Sequence, residues 1–209
     1  MEARRRMMMA GGRLEVDFGL PSGKLWTVGN IVKDANGDYK IGKETDYGVY
    51  FSWGNIDGYN DGDGYAFTSA NYANTGGSSL TANISPTDAL HDAAYARLGA
   101  PYHLPTVNDF NELFDNTDYE FVSDHKGTGV SGYKVMKKTN HAVYIFFPAS
   151  GDYGGSTLDY LNSRAYLWTN GYRTSSNANT FRYSTDDDSR IISLVRRHGL
   201  TIRAVRDSQ

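Results

Sequence analysis

The chain has 209 residues with 16 Tyr, 23 Gly, 5 Pro and no Cys; 22% of them are charged and 39% hydrophobic. That balance is globular over most of the length, and the missing cysteine excludes disulfides, thiolate metal sites, iron–sulfur ligation and thiol nucleophiles. A net charge of −3 offers no overall basic field for nucleic acid or an anionic membrane, and no apolar run approaches the ~18 residues of a membrane span.

Residues 1–13 (MEARRRMMMAGGR) are basic and rich in Met. No apolar stretch follows Arg4, Arg5 and Arg6, so a secretory signal is not expected here, and the segment reads as a tail or docking peptide. From Leu14 to Gln209 there is no linker and no internal repeat, which predicts one domain over 14–209. Val49–Gly54 has strand character. Residues 55–82 carry Gly, Asn, Asp, Ser and Tyr without periodicity, a long loop of the kind that is functional or held by its own side chains.

Two helices are predicted. Over Ser85–Gly99, Ser85 is placed as N-cap, Pro86 at the first helical position and Gly99 at the stop, with Ala89, Leu90, Ala93, Ala94 and Leu98 on one apolar face. Over Thr106–Asp115, Thr106 is the cap, Asp109 the third residue, and Val107, Phe110, Leu113 and Phe114 the buried stripe. Strands are expected over Gly132–Met136, Ala142–Phe147, Tyr166–Thr169, Ala178–Ser184, Ile191–Val195 and Thr201–Val205. Ile202 and Val205 break strict alternation, which predicts a bend near the end. The class is therefore α+β with long irregular loops.

A set of landmarks then recurs in order. They are Val16–Trp26 (VDFGLPSGKLW), Asp46–Gly54 (DYGVYFSWG), Leu98–Thr106 (LGAPYHLPT), Phe110–Leu113 (FNEL), Gly129–Lys134 (GVSGYK), Ile145–Ala149 (IFFPA), Tyr166–Trp168 (YLW) and Arg196–Arg203 (RRHGLTIR). This ordered set resembles a group of Bacteroidetes and phage proteins with the C-type lectin fold in its formylglycine-generating-enzyme-like subtype. The group includes phage tropism determinants and other variable proteins of diversity-generating retroelements. The resemblance implies a C-type-lectin-like domain with a small antiparallel sheet near the C-terminus whose loops bind ligand. It also implies structural roles for Arg196 and Arg203, the two arginines of the closing motif. Catalysis of the aerobic formylglycine-generating type would need active-site cysteines, and this chain has none.

The segment Asn170–Leu200 mixes Tyr, Arg, Asn, Asp, Ser and His in the manner of a recognition surface, where Tyr and Arg anchor and Ser, Asn and Gly adapt. In the resembled group, diversification yields residues of this kind. The expected ligand-binding residues are Tyr172, Arg173, Asn177, Asn179, Arg182, Asp186, Asp187, Arg190, Arg197 and His198. Asp186–Asp188 offset the nearby basic residues, which argues against nucleic acid.

Asp57, Asp61 and Asp63 suggest a calcium loop of another geometry than an EF-hand, since Tyr59 stands at its third position, a ligand position, and Thr68 where it needs a bidentate Glu; a solvated Gly/Asp turn is favoured and no cofactor is expected. The five His lack metal-ligand spacing, and Ser22 lacks the context of a nucleophile elbow, so no catalytic residue is expected. His103 is assigned to packing. Trp26, Trp53 and Trp168 are assigned to the core, with their indole N–H groups on backbone acceptors.

The reading is a non-catalytic receptor-binding protein displayed on a phage tail and diversified by a retroelement. Its expected partners are a bacterial surface receptor, protein or glycan, and a tail or fibre component reached through the N-terminus. The alternative is a fixed-specificity adhesion module on the surface of a Bacteroidetes bacterium.

Overall fold

The computed structural model describes residues 14–186 and 190–208. The N-terminal docking segment 1–13 and the candidate Asp187 lie outside the described residues. What is described is mixed α+β and mostly sheet: fourteen strands and three helices.

Four small sheets organise the chain. Strand β1 (Glu15–Asp17) pairs with β2 (Leu25–Thr27), which pairs with the closing strand β14 (Val205–Arg206), which pairs in turn with β5 (Tyr102–His103). Strands β3 (Ile31–Lys33) and β4 (Tyr39–Ile41) form a hairpin. Strands β6 (Thr117–Val122), β7 (Gly132–Lys137) and β8 (Asn140–Pro148) form an antiparallel meander. The largest sheet has the order β10 (Thr157–Leu161), β9 (Ser150–Gly154), β11 (Ala165–Tyr172), β12 (Asn177–Tyr183), β13 (Ile191–Val195). It is antiparallel except where β11 meets β9, so the expected C-terminal sheet is larger and of mixed direction.

The helices are α1 (Ser69–Ala73), α2 (Ala93–Leu98) and α3 (Val107–Asn116). Helix α3 forms as its sequence predicts. The Thr106 hydroxyl accepts from Asp109 N at 3.1 Å and the Asp109 carboxylate accepts from Thr106 N at 2.7 Å, a reciprocal capping box. Phe110 and Leu113, one turn apart, are fully buried.

The helix predicted over 85–99 is corrected to Ala93–Leu98. Asp88 and Asp92 both turn their carboxylates onto backbone N–H groups, which competes with helix extension. Asp88 accepts from Leu90 N at 2.9 Å, while Asp92 is the true N-cap and accepts from Tyr95 N at 2.9 Å. Ser85–His91 therefore forms turns, and Leu90, assigned to an apolar face, is 72% exposed. Gly99 does end the helix, with φ of 77°. Helix α1 and the 3₁₀ turn Gly76–Ser79 lie in the stretch read as a structureless loop.

Alternation along β11 explains why the interior has two halves. Side chains of a strand point to opposite faces in turn. Ala165 and Leu167 enter a cluster with Trp26, Phe110, Phe147, Phe181 and Tyr183. Tyr166 and Trp168 enter a second cluster with Phe51, Trp53, Leu200 and Ile202. The three tryptophans are buried as expected. Trp53 donates to Thr169 O at 2.9 Å and Trp168 to Phe51 O at 2.6 Å. The Trp26 indole N–H, by contrast, has no hydrogen-bond partner among the described residues.

Val49–Gly54 and Thr201–Val205, predicted as strands, run through this interior mostly as single bridges. Phe51 pairs with Leu200, and Leu167 with Thr201.

Candidate functional site

The candidate residues near the C-terminus stand on a framework made by one arginine. Arg196 is 1% exposed, and its guanidinium lies 4.7 Å from the Trp53 ring centroid and 4.6 Å from that of Tyr172. It donates to Leu80 O at 2.9 Å and also to Thr174 O. A planar cation between two aromatic faces, with its N–H groups on carbonyls, is held in one orientation. Arg196 therefore fastens the turn between β11 and β12 to the core. Arg203 does the same deeper in the molecule. It is fully buried, with donors on Asn30 Oδ1 at 2.9 Å, Thr27 O at 3.0 Å and Phe146 O at 2.7 Å. Both arginines are structural and bind carbonyl and amide oxygens, in line with the expectation for the closing motif.

The turn carried by Arg196 is Arg173–Ser176, which is exposed throughout. Its shape is set internally: Thr174 Oγ1 accepts from Asn177 N at 3.0 Å and from Ser176 N at 3.3 Å. Tyr172 N donates to Asn83 Oδ1 at 2.8 Å, which ties the turn to a neighbouring loop. From there the register of β12 with β13 places Asn177 opposite Val195, Asn179 opposite Ser193 and Phe181 opposite Ile191. Asn177, Asn179 and Phe181 share one face of β12. Phe181 is covered by Phe110 of α3, stacked at 4.2 Å, whereas Asn177 and Asn179 stay half-exposed and Ser193 exposed.

Beyond β13, a turn presents Arg197 and His198, both half-exposed. His198 N donates to Val195 O at 2.9 Å, and its Nδ1 lies 3.0 Å from the carboxylate of buried Asp152. That contact fixes the ring and leaves Nε2 as the nitrogen without a partner among the described residues.

The expected residues thus separate into two groups. Arg173, Asn177, Asn179, Arg197 and His198 lie at one end of β12, with Tyr172 beneath them as framework. Arg182, Asp186 and Arg190 lie at the other, with Arg182 about 10 Å from Asn179 and about 17 Å from Asn177 along the strand at the usual rise per residue. Arg182 and Arg190 are each only 8% exposed. The Arg190 guanidinium lies over Tyr119 at 4.6 Å and Phe114 at 5.0 Å and donates to the Tyr119 hydroxyl. Asp186 is exposed and accepts from Arg164 Nε at 3.1 Å. Burial places Arg182 and Arg190 in the framework; sequence reasoning grouped them with the surface because both are Arg in a polar stretch. It missed Ser193 and Asn83, whose place at the open end depends on register and on a contact 89 residues away in sequence.

The calcium candidates have separate engagements. Asp57 pairs with Arg97, Asp61 accepts from the Tyr153 hydroxyl, and Asp63 accepts from Asn60 N at 2.8 Å with Lys33 at 3.6 Å. Burial and the Asp61 carboxylate push the Tyr153 phenol up to about 12, which keeps it a donor. Among the described residues no three His, Cys, Asp or Glu side chains gather as a metal-binding group. His103 is buried, with Nδ1 at 2.8 Å from Leu104 O, in keeping with a packing role. No helix among the described residues is long and apolar enough to cross a membrane. Compared with models of protein families, with characterised proteins and with solved structures, the chain finds no match.

Proposed function

We propose that this protein is a non-catalytic receptor-binding domain of C-type-lectin-like type, which recognises its ligand through the open end of the β11–β12–β13 sheet. One observation carries the reading. Small polar and cationic side chains (Arg173, Asn177, Asn179, Ser193 and Arg197) are accessible there, directly above a turn locked by buried Arg196. Recognition surfaces combine adaptable contacts with a rigid support, because ordering a flexible surface on binding costs free energy.

In the most specific form of this reading, the domain is displayed on a phage tail, binds a protein or glycan on a bacterial surface, and is diversified by a retroelement. The resemblance of the ordered landmarks supports that form, as does the membership of the open-end residues in the set such diversification produces.

Binding of labelled protein to a panel of Bacteroidetes strains tests the proposal. The expected result is staining of some strains and its loss in the triple variant Arg173→Ala, Asn179→Ala, Arg197→Ala. Undiminished staining by that variant would overturn the site. A neighbouring reverse transcriptase gene with a template repeat matching the C-terminal segment would favour the diversified form. Its absence would favour the fixed-specificity adhesion module.

A further inference from the structure

A second feature lies away from the C-terminal sheet, in the stretch 55–82. Tyr59 and Tyr65 stack on one another with ring centroids 3.5 Å apart and planes 7° from parallel. The pair forms a wall common to two adjoining clefts, of about 440 Å³ and about 230 Å³. Small-molecule sites usually enclose roughly 300–1,000 Å³, so the larger cleft is of suitable size.

We propose that this larger cleft binds a neutral saccharide. Besides the tyrosines its lining includes three amides and one carboxylate, Asn55, Asp57, Asn71 and Asn74, with Ile56 and Leu90 as apolar members. Helix α1 and its cap hold two of these in place, since Asn71 Nδ2 donates to Ala66 O at 2.6 Å and Asn74 Nδ2 donates to Ala70 O at 3.0 Å. Among the described residues their Oδ1 atoms, and Nδ2 of Asn55, have no hydrogen-bond partner and remain for a ligand. Planar amides and a carboxylate offer both donors and acceptors, which sugar hydroxyls can satisfy. The negative face of a tyrosine ring attracts the polarised C–H groups of a sugar ring.

The composition disfavours other ligand chemistry. No lysine or arginine lines the cleft, and Asp57 is ion-paired with Arg97, so phosphate and other anions find no free cation there. Amide atoms of Asn55, Asn71 and Asn74 in the lining would be left unsatisfied by a wholly apolar ligand.

The cleft is also built to keep its shape. Gly54 and Gly77 pack backbone to backbone: a Cβ on Gly77 would come within 2.2 Å of Trp53 O, and one on Gly54 within 2.7 Å of Gly77 Cα. Gly54 also has φ of 75°, which disfavours any larger residue. The Tyr72 hydroxyl donates to Trp53 O at 2.9 Å, and Arg97 Nε donates to Ile56 O at 2.7 Å while its guanidinium pairs with Asp57. Both walls are therefore fixed to the core before any ligand arrives, which lowers the cost of binding.

The test is titration of the full chain with glucose, galactose, mannose, N-acetylglucosamine and their short oligosaccharides, read by saturation-transfer NMR and calorimetry. Tetraglycine and inorganic phosphate serve as controls. At least one saccharide is expected to bind, and Asn74→Ala, an exposed position that loses only a local hydrogen bond, should weaken it about tenfold or more. Tyr65→Ala should weaken it further, and Tyr65→Phe should retain it. Absence of saccharide binding up to about 10 mM, where even a Kd of ~1 mM would register, would overturn the proposal. So would binding unchanged by Asn74→Ala, or tetraglycine or phosphate binding as tightly. The triple variant at Arg173, Asn179 and Arg197 should keep its saccharide affinity, so this cleft and the sheet-end surface can fail separately.

Discussion

At one end of β12, Phe181 and Tyr183 lie against Phe110, Tyr133 and Phe147. At the other, Asn177 and Asn179 of the same strand face stand beside Ser193 and reach solvent. Pairing with β13 runs unbroken from Asn177 to Phe181, and the register with β11 shifts only between Trp168 and Tyr172, so β12 belongs to the same sheet at both ends. What differs is cover: α3 and the β6–β8 sheet close over the first end, and only a turn fastened by Arg196 supports the second. The comparison teaches that side chains at the first end answer to packing. Those at the second are free to answer to a ligand.

The largest effects should come from the closed end and its continuation. Removing Phe110 (Phe110→Ala) leaves a cavity beside Trp26 and Phe181 and should cost about 3–5 kcal/mol. At ~2–4 °C per kcal/mol for a chain of this size, thermal unfolding followed by circular dichroism should show a drop of about 10 °C. Arg203→Met should cost a comparable ~3–5 kcal/mol in the same measurement, because Thr27 O, Phe146 O and Asn30 Oδ1 all lose their buried donor.

An intermediate effect depends on pH. Burial pushes the Asp92 carboxyl up to about 7, against the pull of the Tyr95 and Leu104 N–H groups it accepts from. A folded-state value above the unfolded one means that the folded protein binds the proton more tightly. The stabilisation is then complete below about pH 4 and is lost as pH rises through 7. Asp92→Asn, which still caps α2, should remove this slope, seen as a smaller change in urea midpoint between pH 5 and pH 8 than in the parent. A parent midpoint that rises over that interval relative to the variant would reverse the assignment.

Smaller again is Thr106→Ala, which breaks the capping box of α3 and should cost about 1 kcal/mol. Least of all, Arg173→Ala and Asn179→Ala should each change stability by no more than about 0.5 kcal/mol while they remove receptor binding. A loss of several kcal/mol at either would erase the distinction between the two ends.

Much of the closed end was legible from sequence, because its signals are local. The Thr106–Asp109 capping box, the i, i+3 pair Phe110 and Leu113, and the apolar strand Ile191–Val195 all declare themselves within one element. The helix predicted over 85–99 failed where two local signals competed. Ser85 and Pro86 look like a start, but the carboxylate of Asp92 is fully buried and caps better. The open end was legible in composition only. Arg182 and Arg190 have the same residue type as Arg173 and Arg197, and only long-range packing, as of Arg190 against Tyr119 and Phe114, separates buried from exposed. The tyrosine-walled cleft could not be read at all, since it depends on the approach of Gly54 to Gly77 and of Arg97 to Ile56 across distant parts of the chain.

The central claim is that the open end of the sheet can vary without cost to the fold. A library randomised together at Arg173, Asn177, Asn179, Ser193 and Arg197, displayed and sorted for protease resistance, tests it most directly. If those side chains answer only to ligand, most members will resist protease as the parent does, with little residue preference at any of these positions. Survival of only a narrow set close to the parent sequence would show that they hold the sheet together, and would contradict the account.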